Sequence, residues 1–283
     1  MDRIGVIGLG RMGSAIARRM ATEGRSVLGW TRSGRAVDGV KSAADLETLV
    51  ANSDTLILSL FDDAAVSAVL DALLSLDLAG KQIIETSTVV PDVLISRIDQ
   101  IKALGATAVD APISGGPELV MACKCGIFIG GDQDAAARAE VCLSAISGRI
   151  FHVGPLGAGL AMKVINNGMI QAYFNGLADF MPLARKAGLP LETVLRIVCG
   201  GPAGLPMVAD RIDKVLGKDD EIGFTINAAL KDTDVFKRVV DSFGLTSPML
   251  DAFEATGDAA IKAGLGENDP AALINLAYDS KPD

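Results

Sequence analysis

Arg3-Ile4-Gly5-Val6-Ile7-Gly8-Leu9-Gly10-Arg11-Met12-Gly13 decides the fold. Arg3–Ile7 is a short apolar run of the length a buried strand needs. The glycine pattern G-x-G-x-x-G follows at once, and Ala15, Ile16 and Met20 then recur at helical spacing. Alone the glycine pattern is weak, but between a strand and a helix it reads as a dinucleotide-binding turn. Gly8 permits the tight turn, Gly10 lets backbone approach a pyrophosphate at the helix N-terminus, and Gly13 lets helix and strand pack closely.

The second strand, Ser26–Trp30, bears on the cofactor. An NAD site usually places an acid at its tip, about 20 residues past the glycines, to accept from the ribose 2′-hydroxyl. Here the tip reads Thr31-Arg32-Ser33-Gly34-Arg35, and no acid occurs until Asp38. A guanidinium flanked by two hydroxyls suits a 2′-phosphate, so NADP(H) is expected over NAD(H). The same residues also suit a solvated basic loop.

Further strands are expected at Asp54–Leu60, Lys81–Glu85, Thr107–Asp110, Gly126–Gly131 and Arg149–Val153. Helical patterns lie between them, through Val66, Val69 and Leu73, from Pro91-Asp92 onward, and around residues 133–146. Alternating strands and helices imply an α/β doubly wound sheet with ligands at the carboxyl ends of its strands. Leu60 and Phe61, Thr88, and Ser114-Gly115-Gly116 fall at such ends. A hydroxyl followed by two glycine amides forms either a small nest for a carboxylate or an ordinary turn.

Beyond Gly157-Ala158-Gly159 the pattern is helical. One long helix runs from Leu160 to Ala187, where Pro182 should kink it and Gly188 and Pro190 end it. Helices are expected at Glu192–Cys199, Met207–Leu216, Ala228–Phe243, Pro248–Ala263 and Pro270–Tyr278. Lys163 and Asn167, four apart, share one face of the long helix. An ammonium and an amide placed so can hold and protonate an oxygen, although a helical lysine is more often a solvated charge.

The 283 residues suffice for two domains, and 49% hydrophobic residues with 31 glycines suit a compact α/β protein. A net charge of −9 without a basic run disfavours nucleic acid and anionic membranes. No run of 18 apolar residues and no leader pattern precedes the first strand, so a cytoplasmic protein is expected. With one histidine, His152 in a strand, and a lone Cys123-x-Cys125 pair, no metal site is expected.

Taken together these residues resemble the β-hydroxyacid dehydrogenases along essentially the whole chain. The resemblance rests on Gly8–Gly13; Ser87-Thr88-Val89-Val90-Pro91; Asp110-Ala111-Pro112-Ile113-Ser114-Gly115-Gly116; Gly157-Ala158-Gly159 through Lys163 and Asn167; and Lys231-Asp232. It implies a Rossmann-type domain over 1–159, a long interdomain helix over 160–188 and an all-α domain over 189–283 that serves substrate binding and oligomerisation. It implies hydride transfer between a nicotinamide cofactor and a short, carboxylate-bearing β- or 2-hydroxyacid. Lys163 matches the general acid/base, with Asn167 holding substrate and lysine. Ser114, Gly115 and Gly116 match the carboxylate cradle, Thr88 a contact to the nicotinamide half, and Lys231 a lysine reaching cofactor and substrate. Homodimers or homotetramers are implied as well. Imine reductases share the fold but usually lack this lysine, and non-catalytic scaffolds of the fold have lost it. The chain departs from the family at Val120, Cys123 and Lys124, where an alanine and a Gly-Thr pair are usual; these bulkier residues are expected near the cradle wall. Asp179 stands where the family commonly has Glu, and Thr31 where Asn is common.

Overall fold

The structure is a computed structural model that describes residues 3–279. Packing divides the chain into two compact units, Met1–Ile165 and Asn166–Asp283.

In the first unit β1 (Arg3–Ile7) leads into α1 (Arg11–Thr22), β2 (Ser26–Trp30), the two-residue β3 (Lys41–Ser42) and α2 (Leu46–Ala51). Next come β4 (Thr55–Leu58), α3 (Asp63–Leu73), β5 (Gln82–Glu85), and the short helices α4 (Asp92–Ile95) and α5 (Ile98–Ala103). Then follow β6 (Thr107–Asp110), β7 (Ile113–Ser114), α6 (Pro117–Met121), β8 (Gly126–Gly130), α7 (Gln133–Leu143) and β9 (Arg149–Gly154). The sheet runs β3-β2-β1-β4-β5-β6-β8-β7, and β9 pairs β8.

The strands through β6 are parallel; β1, β4, β5 and β6 are buried on both faces, and their two faces alternate residue by residue. Ile4, Val6, Ile57, Ile84 and Val109 pack with α1 and α7 through Ile16, Met20, Ala139 and Leu143. Ile7, Leu56, Leu58 and Ile83 pack oppositely with Leu49, Val66, Leu70 and Ile101. Helices therefore cover both faces, as a doubly wound sheet requires.

Some details of this unit differ from the sequence reading. The alternating pattern gave no sign that β8 reverses direction: it is antiparallel to β6 and β7, with Asp110 opposite Gly130 and Ile113 opposite Ile127. The segments β3, β7, α2 and α6 span two to six residues each, too few to show a period. The helix expected around 133–146 ends at Leu143.

α8 (Ala158–Lys186) starts in the first unit and continues into the second, with Pro182 inside it and Arg185 and Lys186 in its last turn. Gly188, at φ +71°, closes it, because Leu189 N–H reaches back to Ala184 O at 2.9 Å. The second unit adds α9 (Leu191–Gly200), α10 (Pro206–Ala209), α11 (Ile212–Val215), α12 (Ile226–Ser242), α13 (Pro248–Lys262) and α14 (Ala271–Asp279). Its core joins Phe174, Leu177 and Met181 of α8 to Leu195, Ile226, Phe253 and Ile274. The single helix expected over Met207–Leu216 is two. At the break Arg211 N–H bonds Val208 O at 2.9 Å, and the Arg211 guanidinium lies 3.7 Å from the buried Asp269. Among the described residues no helix is long and apolar enough to cross a membrane.

Candidate active site

The three glycines of the first turn are glycine for three different reasons. Gly8 has φ +95°, and a Cβ there would lie 2.3 Å from Ser59 O. At Gly13 a Cβ would lie 1.8 Å from Gly8 O, so only glycine lets α1 start this close to β1. Ser14, whose role the sequence reading missed, ties the turn by donating to Leu9 O at 2.8 Å. Gly10 differs from both. Its φ is −68°, and a Cβ would meet nothing within 4 Å. Neither conformation nor protein packing requires glycine at 10, whereas a pyrophosphate approaching the α1 N-terminus would. The turn thus fits the dinucleotide that its sequence implies. Leu9 is 2% exposed and points into the core, so only its backbone can serve a ligand. Met12 packs against the same core, and Arg11 is exposed at the first helical position.

The β2 tip lies beside this turn, because Gly8 N–H donates to Trp30 O at 2.9 Å. A tight turn follows, closed by Gly34 N–H to Thr31 O at 3.0 Å. It leaves Arg32 and Ser33 exposed and Thr31 half-buried. After β4, Leu60 N–H donates to Ser87 Oγ at 2.8 Å, and the Phe61 ring beside it is 73% exposed.

Chemistry concentrates at the ends of β5 and β6. Lys163 is only 6% exposed, and its ammonium donates to Thr88 Oγ1 at 2.5 Å. Glu85 and Asp110 are register partners at the last positions of their strands. Burial pushes the Glu85 carboxyl up to about 7, against the opposing hydrogen bond from Ser87. Burial likewise pushes Asp110 up to about 6, against backbone N–H groups that favour its charged form. Asp110 Oδ1 accepts from Gly157 N–H at 2.7 Å, and Oδ2 accepts from Leu160 N–H at 2.8 Å. Ser114, Gly115 and Gly116 follow four to six residues later. Gly115 has φ +121°, and Gly116 precedes α6.

Two matches cover this arrangement. Residues 3–154 match the family described as the NAD binding domain of 6-phosphogluconate dehydrogenase. Residues 157–277 match the NAD-binding domain of NADP-dependent 3-hydroxyisobutyrate dehydrogenase. The chain belongs to the β-hydroxyacid dehydrogenase family. Like its family it is an NAD(P)-dependent oxidoreductase interconverting a short hydroxyacid and its oxo acid or semialdehyde. It is 27% identical over 283 residues to 2-(hydroxymethyl)glutarate dehydrogenase of Eubacterium barkeri, covering 97% of this chain and 94% of the other. It is 27% identical to the NAD-dependent L-serine dehydrogenase of Pseudomonas aeruginosa, covering 95% of each. The structure of Mycobacterium tuberculosis 3-hydroxyisobutyrate dehydrogenase with L-serine superposes with a TM-score of 0.88 at 25% identity, covering 98% of this chain and 99% of that one.

Against that family pattern the three departures separate. Val120 is fully buried in the core rather than at a wall, and Lys124 is exposed. Cys123, where the family usually has glycine, holds φ 59°, a conformation that costs a residue with a Cβ. Of the remaining expected site residues, Asn167 sits in the second unit, one turn beyond Lys163 along α8, its Oδ1 accepting from Asn166 Nδ2 at 2.9 Å. Lys231 lies on α12, half-buried, 3.6 Å from Asp232 Oδ1. His152 makes ring contacts to Gln133 Oε1 and to the Gly131 and Gly154 carbonyls, as a structural strand histidine does. Among the described residues no His, Cys, Asp and Glu side chains gather as a metal-binding group.

Proposed function

We propose that this β-hydroxyacid dehydrogenase prefers NADP(H) and acts on a short carboxylate-bearing hydroxyacid or its semialdehyde, with Lys163 as general acid/base. The observation that carries this reading is the buried Lys163 ammonium seated on the Thr88 hydroxyl at the carboxyl end of β5. Lysine is almost never buried unless a partner holds it there. A bound nicotinamide supplies or takes up the hydride. The chain's own residues handle the rest. In reduction the Lys163 ammonium gives its proton to the substrate oxygen as negative charge builds there; in oxidation the neutral amine takes the hydroxyl proton. The Thr88 hydroxyl accepts from Lys163 Nζ and so aims it. Ser114 Oγ and the amides of Gly115 and Gly116 hold the substrate carboxylate.

The preference for NADP(H) rests on Arg32, flanked by Thr31 and Ser33 and exposed at the β2 tip without an acid beside it. Asn167 and Lys231 keep, within this proposal, the substrate- and cofactor-contacting roles that the family resemblance gives them. So does the functional division 1–159, 160–188 and 189–283. Self-association is supported by Met169, Phe180 and Leu183, which recur on one exposed face of α8. A cytoplasmic setting is supported by four cysteines that are all free thiols.

NADPH and NADH turnover against succinic semialdehyde, methylmalonate semialdehyde and glyoxylate tests the reading, with 3-hydroxyisobutyrate and L-serine in the reverse direction. Arg32→Ala should raise the KM for NADPH about tenfold and leave NADH unchanged. Turnover of none of these compounds, or equal loss with both cofactors in Arg32→Ala, would overturn the respective part.

A further inference from the structure

Like any helix, α8 starts with backbone N–H groups that lack a partner within the helix. Ala158 N–H finds Pro155 O at 2.9 Å, but no local side chain can serve the others, since Pro155, Leu156, Gly157 and Ala158 carry no acceptor side chain. The acceptor comes from another element. Asp110, the last residue of β6, takes Gly157 N–H on one carboxylate oxygen at 2.7 Å and Leu160 N–H on the other at 2.8 Å. A carboxylate at this end also opposes the positive pole of the helix.

The surroundings are shaped to that carboxylate. A Cβ at Gly130 would lie 2.3 Å from Asp110 Oδ1, and one at Gly159 would lie 2.7 Å from Oδ2. Two glycines from two other elements thus leave room for this side chain.

Lys163 lies three residues past Leu160, a little under one helical turn. From there its ammonium reaches the Thr88 hydroxyl at 2.5 Å. Thr88 in turn lies three residues past Glu85, the register partner of Asp110. The clamp and its target therefore start from neighbouring positions in one rigid sheet. Ser114 follows Asp110 by four residues, so the same clamp ties the proposed carboxylate cradle to the lysine helix.

We propose that Asp110 is a positioning residue: it clamps the first turn of α8 and thereby sets the Lys163 ammonium on Thr88. The inference rests on the assignment of Lys163 as the acid/base. It adds that the placement of this lysine depends on a carboxylate that touches neither substrate nor cofactor.

Two readouts on Asp110→Asn test it. Asparagine keeps the shape and one acceptor oxygen but loses the charge and the second acceptor. The first readout is labelling of Lys163 by an amine-acylating reagent, quantified by peptide mass spectrometry, with the exposed Lys102 as internal standard. Labelling should rise at least fivefold in Asp110→Asn, while Lys102 stays constant. The second is NADPH-dependent turnover of the panel compound that the wild type reduces: kcat should fall at least tenfold with the KM for NADPH unchanged. Asp110→Ser should be worse than Asp110→Asn on both readouts, and it serves alone if the asparagine variant does not fold. A lower melting temperature with unchanged Lys163 labelling and unchanged kcat would overturn the proposal and leave Asp110 merely structural. Raised labelling, with Lys163→Ala as active as wild type, would uphold the clamp and defeat the acid/base assignment instead.

Discussion

The carboxyl ends of β1 and β2 and those of β5 and β6 lie in one sheet and are built oppositely. The first pair is open: Gly10 faces empty space, and Arg32 and Ser33 are exposed. The second is closed: Glu85, Asp110 and Lys163 are buried, both Asp110 carboxylate oxygens accept backbone N–H groups, and Lys163 donates to Thr88 Oγ1. The open half contributes backbone amides and a few independent side chains, so a ligand completes it. In the closed half the chain itself has assembled the groups before any ligand arrives. Preorganisation of that kind suits the place where charge develops, and openness suits the place where a dinucleotide must enter and leave. Damage to the groups that the first half leaves open should therefore show in binding alone, and damage to the second half in chemistry and stability together.

The largest effect should come from adding one methyl group at two positions of the same turn. Gly13→Ala drives a Cβ onto Gly8 O and should destabilise the chain by about 3 kcal/mol. Gly10→Ala meets no protein atom and should change stability by no more than about 0.5 kcal/mol. It should nonetheless weaken dinucleotide binding about tenfold. Chemical denaturation paired with a cofactor titration separates the two, and equal stability losses would erase the distinction between the glycines.

The closed half should also show itself in the pH dependence of stability. Glu85 is raised to about 7 in the folded chain, above its ordinary 4.5. Between those values the folded state binds more protons than the unfolded state, so stability falls as pH rises from about 4.5 to 7. Asp110, raised to about 6, acts in the same direction. Asp54, at the surface, acts oppositely: its hydrogen bonds with Arg3 hold it well below the usual carboxylate range, and its contribution is lost in acid. Glu85→Gln should flatten the decline and raise stability at pH 8 by about 1–3 kcal/mol, at 1.36 kcal/mol per pKa unit. Denaturant midpoints from pH 5 to 8 measure this, and an unchanged slope would contradict it.

The smallest effect concerns neither half directly. Cys123→Gly relieves a left-handed residue next to α6 and should stabilise by about 1 kcal/mol. A melting temperature that stays constant or falls would show that the thiol's packing outweighs the strain.

The sequence carried these two halves unequally. Ser26–Trp30 and Thr107–Asp110 read as strands at their observed bounds because continuous apolar runs between turn residues leave few alternatives. The glycine turn was legible for a similar reason, since its spacing is local. The Asp110 clamp was not, because its partners are 47 and 50 residues away and are backbone amides, which every residue has. Glu85 left a faint signal, a charge ending a buried strand. The break between Ala209 and Ile212 left none, because the apolar spacing continues across it.

The central claim is that Lys163 performs proton transfer in a half of the site distinct from the turn that takes the cofactor's pyrophosphate. Parallel measurement of NADPH affinity, by quenching of protein fluorescence, and of kcat in wild type and Lys163→Ala tests this most directly. The account predicts a kcat lowered by about 10²–10⁴-fold with NADPH affinity within twofold of wild type. A variant that keeps its kcat, or one that loses NADPH affinity in proportion to kcat, would contradict it.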